Sequence, residues 1–343
     1  MNFILLIILV VCLYRIRFSG VGFYDDYLSK TSTTCVNGVF VFFVFLRHFG
    51  QYIEYGSYDK IFRYVDKHIL QLLVVTFLFY SGYGIMCSIR KKGMDYVKAM
   101  PYHRALKVWM HFALAVFLFY CVDLLCGKEF PLSRVLLSFV GWEAIGNSNW
   151  YIFYVVITYL VTFVAFLIAD KLTKKHRDIL AVCLIALCSV CYMLILHPLK
   201  GKYWYNTAIS FPIGMFYCLF EDKIRKIVQK NNVIYLLTSG TVLALFYLFY
   251  QRRESFLYYE CCVIGFIALV LLVTMKFRVN NGILLWLGKY TFEIYILQRI
   301  PMLVLEGRIP NNCVYFGVCF ALTLLIAVLF RKMTDTIDAK IYG

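Results

Sequence analysis

Apolar runs of about the length a helix needs to cross a bilayer, roughly twenty residues, alternate with short polar stretches from one end of the chain to the other. Eleven runs can be placed, at 1–13, 36–55, 69–89, 108–126, 150–169, 179–197, 207–220, 233–250, 257–275, 290–305 and 313–330. The first run and the one starting at 207 are short for a span. The pattern predicts an all-α, polytopic membrane helix bundle with about 11 transmembrane helices. Residues 1–17 are expected to form an amino-terminal transmembrane anchor helix. Arg15 and Arg17 follow its apolar run, no charged leader precedes it and no small-residue cleavage site follows, so it reads as a retained helix and not a removed signal peptide. Residues 18–35 and 56–68 read as polar loops. Residues 127–149 hold too little continuous apolar sequence to span and read as an outer loop whose VLLSFVGW portion dips into the membrane.

Composition agrees with this reading and removes several function classes. With 62% hydrophobic and 16% charged residues, the 343-residue chain is too apolar for a soluble globule, in which about a quarter of residues are charged. The net charge of +16 does not imply nucleic acid, because the basic residues sit in short clusters between apolar runs and not along one face. Assigning loops alternately puts about 23 of the 35 lysines and arginines on one side, which the positive-inside bias makes cytoplasmic. The chain then starts outside and ends inside. Many of the thirteen cysteines fall in or beside apolar runs, as small buried hydrophobes do. No Gly-rich phosphate loop and no HExxH is present, and the vicinal Cys261-Cys262 pair is not a CxxC metal or redox signature, so no metal is expected.

The run at 36–55, VNGVFVFFVFLRHFGQYIEY, is apolar after Gly38 and then carries Arg47 and His48 side by side. A charged residue in a hydrocarbon-facing segment costs at least a few kcal/mol and normally turns into the bundle or toward a watery cavity. This makes His48 the candidate chemical centre. The plainer alternative is that both residues snorkel toward a headgroup layer. Adjacent residues lie roughly 100° apart on a helix, so the two are not expected to face one cleft squarely. His48 shares its face with Gln51, Tyr52 and Tyr55.

Four segments taken together resemble the membrane-bound acyltransferase 3 family, multi-pass enzymes that decorate surface glycans and related acceptors. They are NGVFVFFVFLRH, FLFYSGYGIM, PYHRALKVW and WLGKYTFEIYILQ, with NSNWYIF at 147–153 as a weaker fifth. The resemblance covers about residues 30–332. It implies a ten-helix membrane acyltransferase domain there, plus the one N-terminal helix and a cytoplasmic tail at 333–343. Three positions depart from the family pattern. Asn37 stands where the family has arginine or lysine, Lys107 replaces the second arginine of Arg-x-x-Arg, and Gln298 takes the place of a late histidine.

What the resemblance implies is an integral membrane O-acyltransferase, foremost an O-acetyltransferase. Its acyl donor is acetyl-CoA, arriving from the cytoplasm, and its acceptor is a hydroxyl of a surface or lipid-linked polysaccharide at a bacterial cell membrane. Partners are then the donor, the glycan and membrane lipids, without nucleic acid. Within this reading His48 is the general base or a transient acyl carrier, since a free hydroxyl is a poor nucleophile near neutral pH. Arg104 and Lys107, three apart at the cytoplasmic start of a span, are the handle for the polyanionic coenzyme. Lysine meets a phosphate as a point charge without the bidentate fork of arginine. Arg47, Ser81, Tyr83, Glu143, Trp150, Tyr295 and Gln298 are the supporting or substrate-binding candidates. Ser81 and Tyr83 serve equally as helix packing, and Trp150 as an interfacial anchor. Glu143, Asp123 and Glu260 map near the outer side, where a carboxylate can orient His48 or bind sugar hydroxyls; the sequence does not choose among them. Glu293 is expected to pair with an inner-side Arg or Lys. The remaining histidines, His111 among them, read as loop or helix-end residues. A transporter, flippase or glycan polymerase is the competing class, against which stand the short outer loops and the lack of an inverted repeat.

Overall fold

A computed structural model describes residues 1–69 and 71–342. Leu70, in the predicted 69–89 span, and Gly343, at the end of the predicted tail, lie outside the described residues. Each of the eleven apolar runs holds a helix among the described residues, but the 36–55 run is helical only to Phe49 and the 207–220 run only from Ser210. Among the described residues, eight helices are long and apolar enough to cross a membrane: Lys30–Phe49, Leu72–Lys92, Met94–Leu125, Trp150–Leu172, Arg177–Leu196, Asn232–Gln251, Phe256–Lys276 and Asn312–Tyr342. The other three runs are the 12-residue helix Asn2–Leu13, the helix Ser210–Val228 with a charged second half, and the 290–305 run. The last is broken into Thr291–Leu297 and Arg299–Leu305. Pro301 explains the break: it has no N–H to give and its ring crowds the carbonyl four residues earlier, at Leu297.

A second proline acts differently. Pro101 lies inside the continuous Met94–Leu125 helix, which absorbs it by widening into a π-turn over Pro101–Leu106. That turn carries His103 and Arg104. The 127–149 segment folds back along the same helix, with Trp109 Nε1 donating to the Phe139 carbonyl at 3.0 Å. Its short helix Leu132–Phe139 leaves Leu132, Leu136 and Leu137 exposed, as a membrane-dipping segment would. The region read as a 56–68 loop holds the helix Lys60–Ile69. A two-stranded antiparallel ladder, Ile16–Phe18 with Phe277–Val279, clips the chain near its start to the end of the Phe256–Lys276 helix.

Two glycine-mediated crossings fix the helices that matter most. A Cβ on Gly38 would sit 2.0 Å from the Leu284 carbonyl oxygen, and one on Gly288 would sit 1.8 Å from that of Thr34. The Lys30–Phe49 and Gly282–Lys289 helices therefore touch backbone to backbone, a contact only small residues permit. Gly82 and Gly214 do the same for Leu72–Lys92 against Ser210–Val228, at 2.0 and 2.1 Å from the Phe211 and Phe79 carbonyl oxygens. Ser29 and Asn281 cap the first pair, accepting from the backbone N–H groups of Ser32 and of Ile283. Further along Lys30–Phe49, fully buried Phe45 and Phe49 stack against Phe316 of the last helix at 5.3 and 5.2 Å. This contact sets the helix rotation and decides what the opposite side presents.

Candidate functional site: two opposed cavities

With Phe45 and Phe49 held by the last helix, Val44, Arg47, His48 and Gln51 make a stripe at spacings of three, four and seven that lines a cavity of about 610 Å³. The rest of its wall comes from the segments that join the spans on the predicted outer side, at 144–150, 202–206 and 253–254, and from Tyr295 and Arg299 at the helix break. Arg47 and His48 thus both line this cavity, contrary to the expectation from their 100° separation. The cavity is wide enough to take an arc of the helix. Arg47 turns its guanidinium sideways to Asp66, 2.8 Å away, and Asp66 also accepts from the Tyr55 hydroxyl at 2.9 Å. Tyr55 is thereby tied to the Lys60–Ile69 helix.

The His48 ring stands 6.1 Å from that of Tyr295, which stacks edge-on to Tyr151 at 5.1 Å. His48 Nδ1 is buried with no hydrogen-bond partner, as is the Tyr295 hydroxyl. None of the three outer carboxylates reaches the imidazole. Glu143 pairs with Lys200 at 3.1 Å, and Asp123 is buried 3.9 Å from Lys128. Glu260 is buried with neither oxygen partnered, behind the cavity-lining Tyr259. Gln71 Nε2, Asn147 Nδ2, Ser148 Oγ and Asn206 Oδ1 also lie buried and unpartnered on this cavity. Unsatisfied buried polar atoms are costly and rare in native proteins, and eight of the 22 among the described residues belong to the lining of this one space. Such a wall offers donors and acceptors to a polar ligand.

A second cavity, about 400 Å³, opens at the opposite end and is lined by Arg104, Lys107, His111, Glu293, Arg331 and Asp338, among others. Lys107 Nζ contacts Asp338 at 2.6 Å, and His111 Nε2 lies 3.1 Å from the other oxygen of the same carboxylate. His111 sits on a helix one turn beyond Lys107 and not at a helix end. Glu293 pairs with Arg331 at 2.8 Å, the inner-side partner expected for it. Arg104 is exposed, over the ring of Tyr96 at 5.8 Å. One helix stands between the two cavities: Glu293 lines one and Tyr295 the other, two residues apart and on nearly opposite faces of Thr291–Leu297.

The other sequence candidates fall as follows. Trp150 lines the outer cavity. Gln298, in the late-histidine position, is fully buried and donates to the Tyr295 carbonyl at 3.2 Å; it supports the Tyr295 turn from behind. Ser81 bonds Tyr159 at 3.1 Å and Tyr83 donates to Glu221 at 2.7 Å, both at helix contacts outside the two cavities. Asn37 Oδ1 is buried and unpartnered where the family pattern carries a cation. The residue the sequence reading passed over is Arg299. It lies inside an apolar run, the criterion that singled out His48.

A polar cavity lined by a half-buried histidine and a basic cavity at the opposite end, in a bundle of apolar helices, belong to a multi-pass membrane protein. The acyltransferase domain model matches residues 34–332, and the chain belongs to that family. No curated protein and no solved structure matches it.

Proposed function

We propose that this protein is an O-acetyltransferase of the bacterial cell membrane, moving an acetyl group from cytoplasmic acetyl-CoA to a hydroxyl of a surface or lipid-linked polysaccharide. The observation that carries the proposal is His48, on the family's first core helix, at a polar cavity whose inner wall is shared with a basic one. The acceptor hydroxyl enters from the outer side, where the unpartnered Asn147, Ser148, Asn206 and Gln71 suit a polyhydroxylated ligand. The coenzyme's phosphates rest on Arg104 and Lys107, and its thioester arm passes the Phe292–Tyr295 turn. His48 takes the hydroxyl proton as the oxygen attacks the thioester carbonyl. The carbon–sulfur bond breaks as the tetrahedral intermediate collapses, and the coenzyme thiol leaves with the proton. Residues 30–332 carry this chemistry, with 1–17 as an anchor. Residues 333–342 continue the last helix and bring Asp338 to Lys107. The test is whether purified protein in proteoliposomes consumes acetyl-CoA only when glycan extract is added. Glycan-dependent release of free coenzyme supports the proposal; glycan uptake without coenzyme release would overturn it in favour of transport.

A further inference from the structure

Four cations line the outer cavity, and they are not alike. Arg47 is neutralised by Asp66 at 2.8 Å and Lys202 approaches Glu254 at 3.7 Å. Arg253 and Arg299 have no carboxylate within salt-bridge distance among the described residues. Arg253 donates to the Tyr250 carbonyl and lies 4.1 Å above that ring. Arg299 bonds only neutral groups, the Gln51 side-chain oxygen at 2.7 Å and the Tyr52 hydroxyl at 3.5 Å, while its Nε is buried with no partner. Gln51 and Tyr52 lie just past the helix end at Phe49, in tight turns where the Gln51 N–H donates to the His48 carbonyl at 3.1 Å, so the guanidinium lies about one turn outward of the imidazole. A buried or half-buried cation without a counter-charge is expensive, and in a membrane protein marks a ligand path. Arg299 follows the cavity-lining Tyr295 by four residues, with Gln298 helical between them, so both side chains fall on the face that the cavity sees.

We infer that Arg299 is the anchor for an anionic substituent on the acceptor, so that the glycan acylated here is acidic, bearing either a sugar carboxylate or a phosphodiester beside the reactive hydroxyl. The inference rests on the acyltransferase reading and adds the chemical class of its acceptor. A planar guanidinium with a free Nε edge matches both groups bidentately, which lysine does not. Anchoring the anion one turn outward of His48 leaves a neighbouring hydroxyl at the imidazole. Arg253, on the rim, adds long-range attraction.

The test is a binding measurement that needs no acyl donor, on full-length protein carrying His48→Ala so that no turnover occurs. Three probes are titrated: a uronic-acid oligosaccharide, the same oligosaccharide with its carboxyls reduced to hydroxymethyl groups, and a glycerol-phosphate oligomer. We expect one of the anionic probes to bind at least tenfold more tightly than the reduced one. Arg299→Gln should remove that advantage, a loss of about ten- to a hundredfold for one charge-assisted contact, and Arg299→Lys should restore it only in part. Preference for the uronate identifies a sugar acid; preference for glycerol phosphate identifies a phosphodiester. Absence of any charge-dependent binding, or binding that survives Arg299→Gln, overturns the inference. Should His48→Ala protein retain acyl transfer while charge-dependent binding stands, the acyltransferase mechanism fails and the anion site does not.

Discussion

Asp338 occupies the ammonium group that an incoming coenzyme phosphate would need, and neutralising it should tighten donor binding. The contact is Lys107 Nζ to Asp338 at 2.6 Å, with the lysine side chain 40% exposed and the aspartate 11%. Half-exposed ion pairs are worth at most about 1 kcal/mol, and each 1.4 kcal/mol is tenfold in affinity. Asp338→Asn should therefore lower the KM for acetyl-CoA by about three- to fivefold and leave kcat nearly unchanged. Asp338→Glu, which keeps the charge, should resemble wild type, and adding Lys107→Ala to Asp338→Asn should cancel the gain. Initial rates against acetyl-CoA concentration, with free coenzyme quantified chromatographically because the chain has thirteen cysteines, give both constants. The Asp338→Asn side chain can still accept from His111, so the melting temperature should hold. An unchanged or raised KM in a protein that melts normally would refute the placement of the coenzyme phosphates at Lys107.

Other outcomes follow from packing. Gly38→Ala and Gly288→Ala each drive a methyl group into a backbone carbonyl and should cost about 1–3 kcal/mol, read as a lower melting temperature in detergent. Gly240→Ala, mid-helix with open space around it, should leave melting unchanged or raise it by the few tenths to 1 kcal/mol of helix propensity. Equal effects at all three would mean the Gly38 and Gly288 crossing is misplaced. Cys87 and Cys218 Sγ atoms lie 3.0 Å apart across the second glycine crossing. Mild copper-catalysed oxidation by dioxygen should join them, and peptide mapping that finds both only as free thiols would count against that helix register.

The bundle was legible because membrane helices are read from length and hydropathy alone, and lipid leaves the backbone few alternatives. The break at Gln298 was not read from the sequence, where 290–305 is a single span; Pro301 carries its signal. The pairing of Glu293 was legible, since a buried acid near a basic loop has few ways to be satisfied. The cavity's stripe was harder. Helical offsets from His48 picked Gln51, Tyr52 and Tyr55, yet the cavity is lined by Val44, Arg47, His48 and Gln51, because the helix stops at Phe49 and Tyr55 turns away to Asp66. The rotation of that helix is a tertiary choice between several equally apolar faces. Pairings across long separations, such as Lys107 with Asp338 or Arg47 with Asp66, leave no local trace. Arg299, beside Gln298 in the late-histidine position, interrupts its apolar run as His48 does its own, and only the folded cavity shows that the two side chains face one space.

The account depends on His48 accepting the acceptor's proton. Its most direct measurement is transfer of radiolabelled acetyl from acetyl-CoA to membrane glycan by His48→Ala protein, set against wild type with matched expression and melting temperature. The account predicts a fall in kcat of about 10²- to 10⁴-fold, the usual cost of losing a general base. Transfer at the wild-type rate would contradict it.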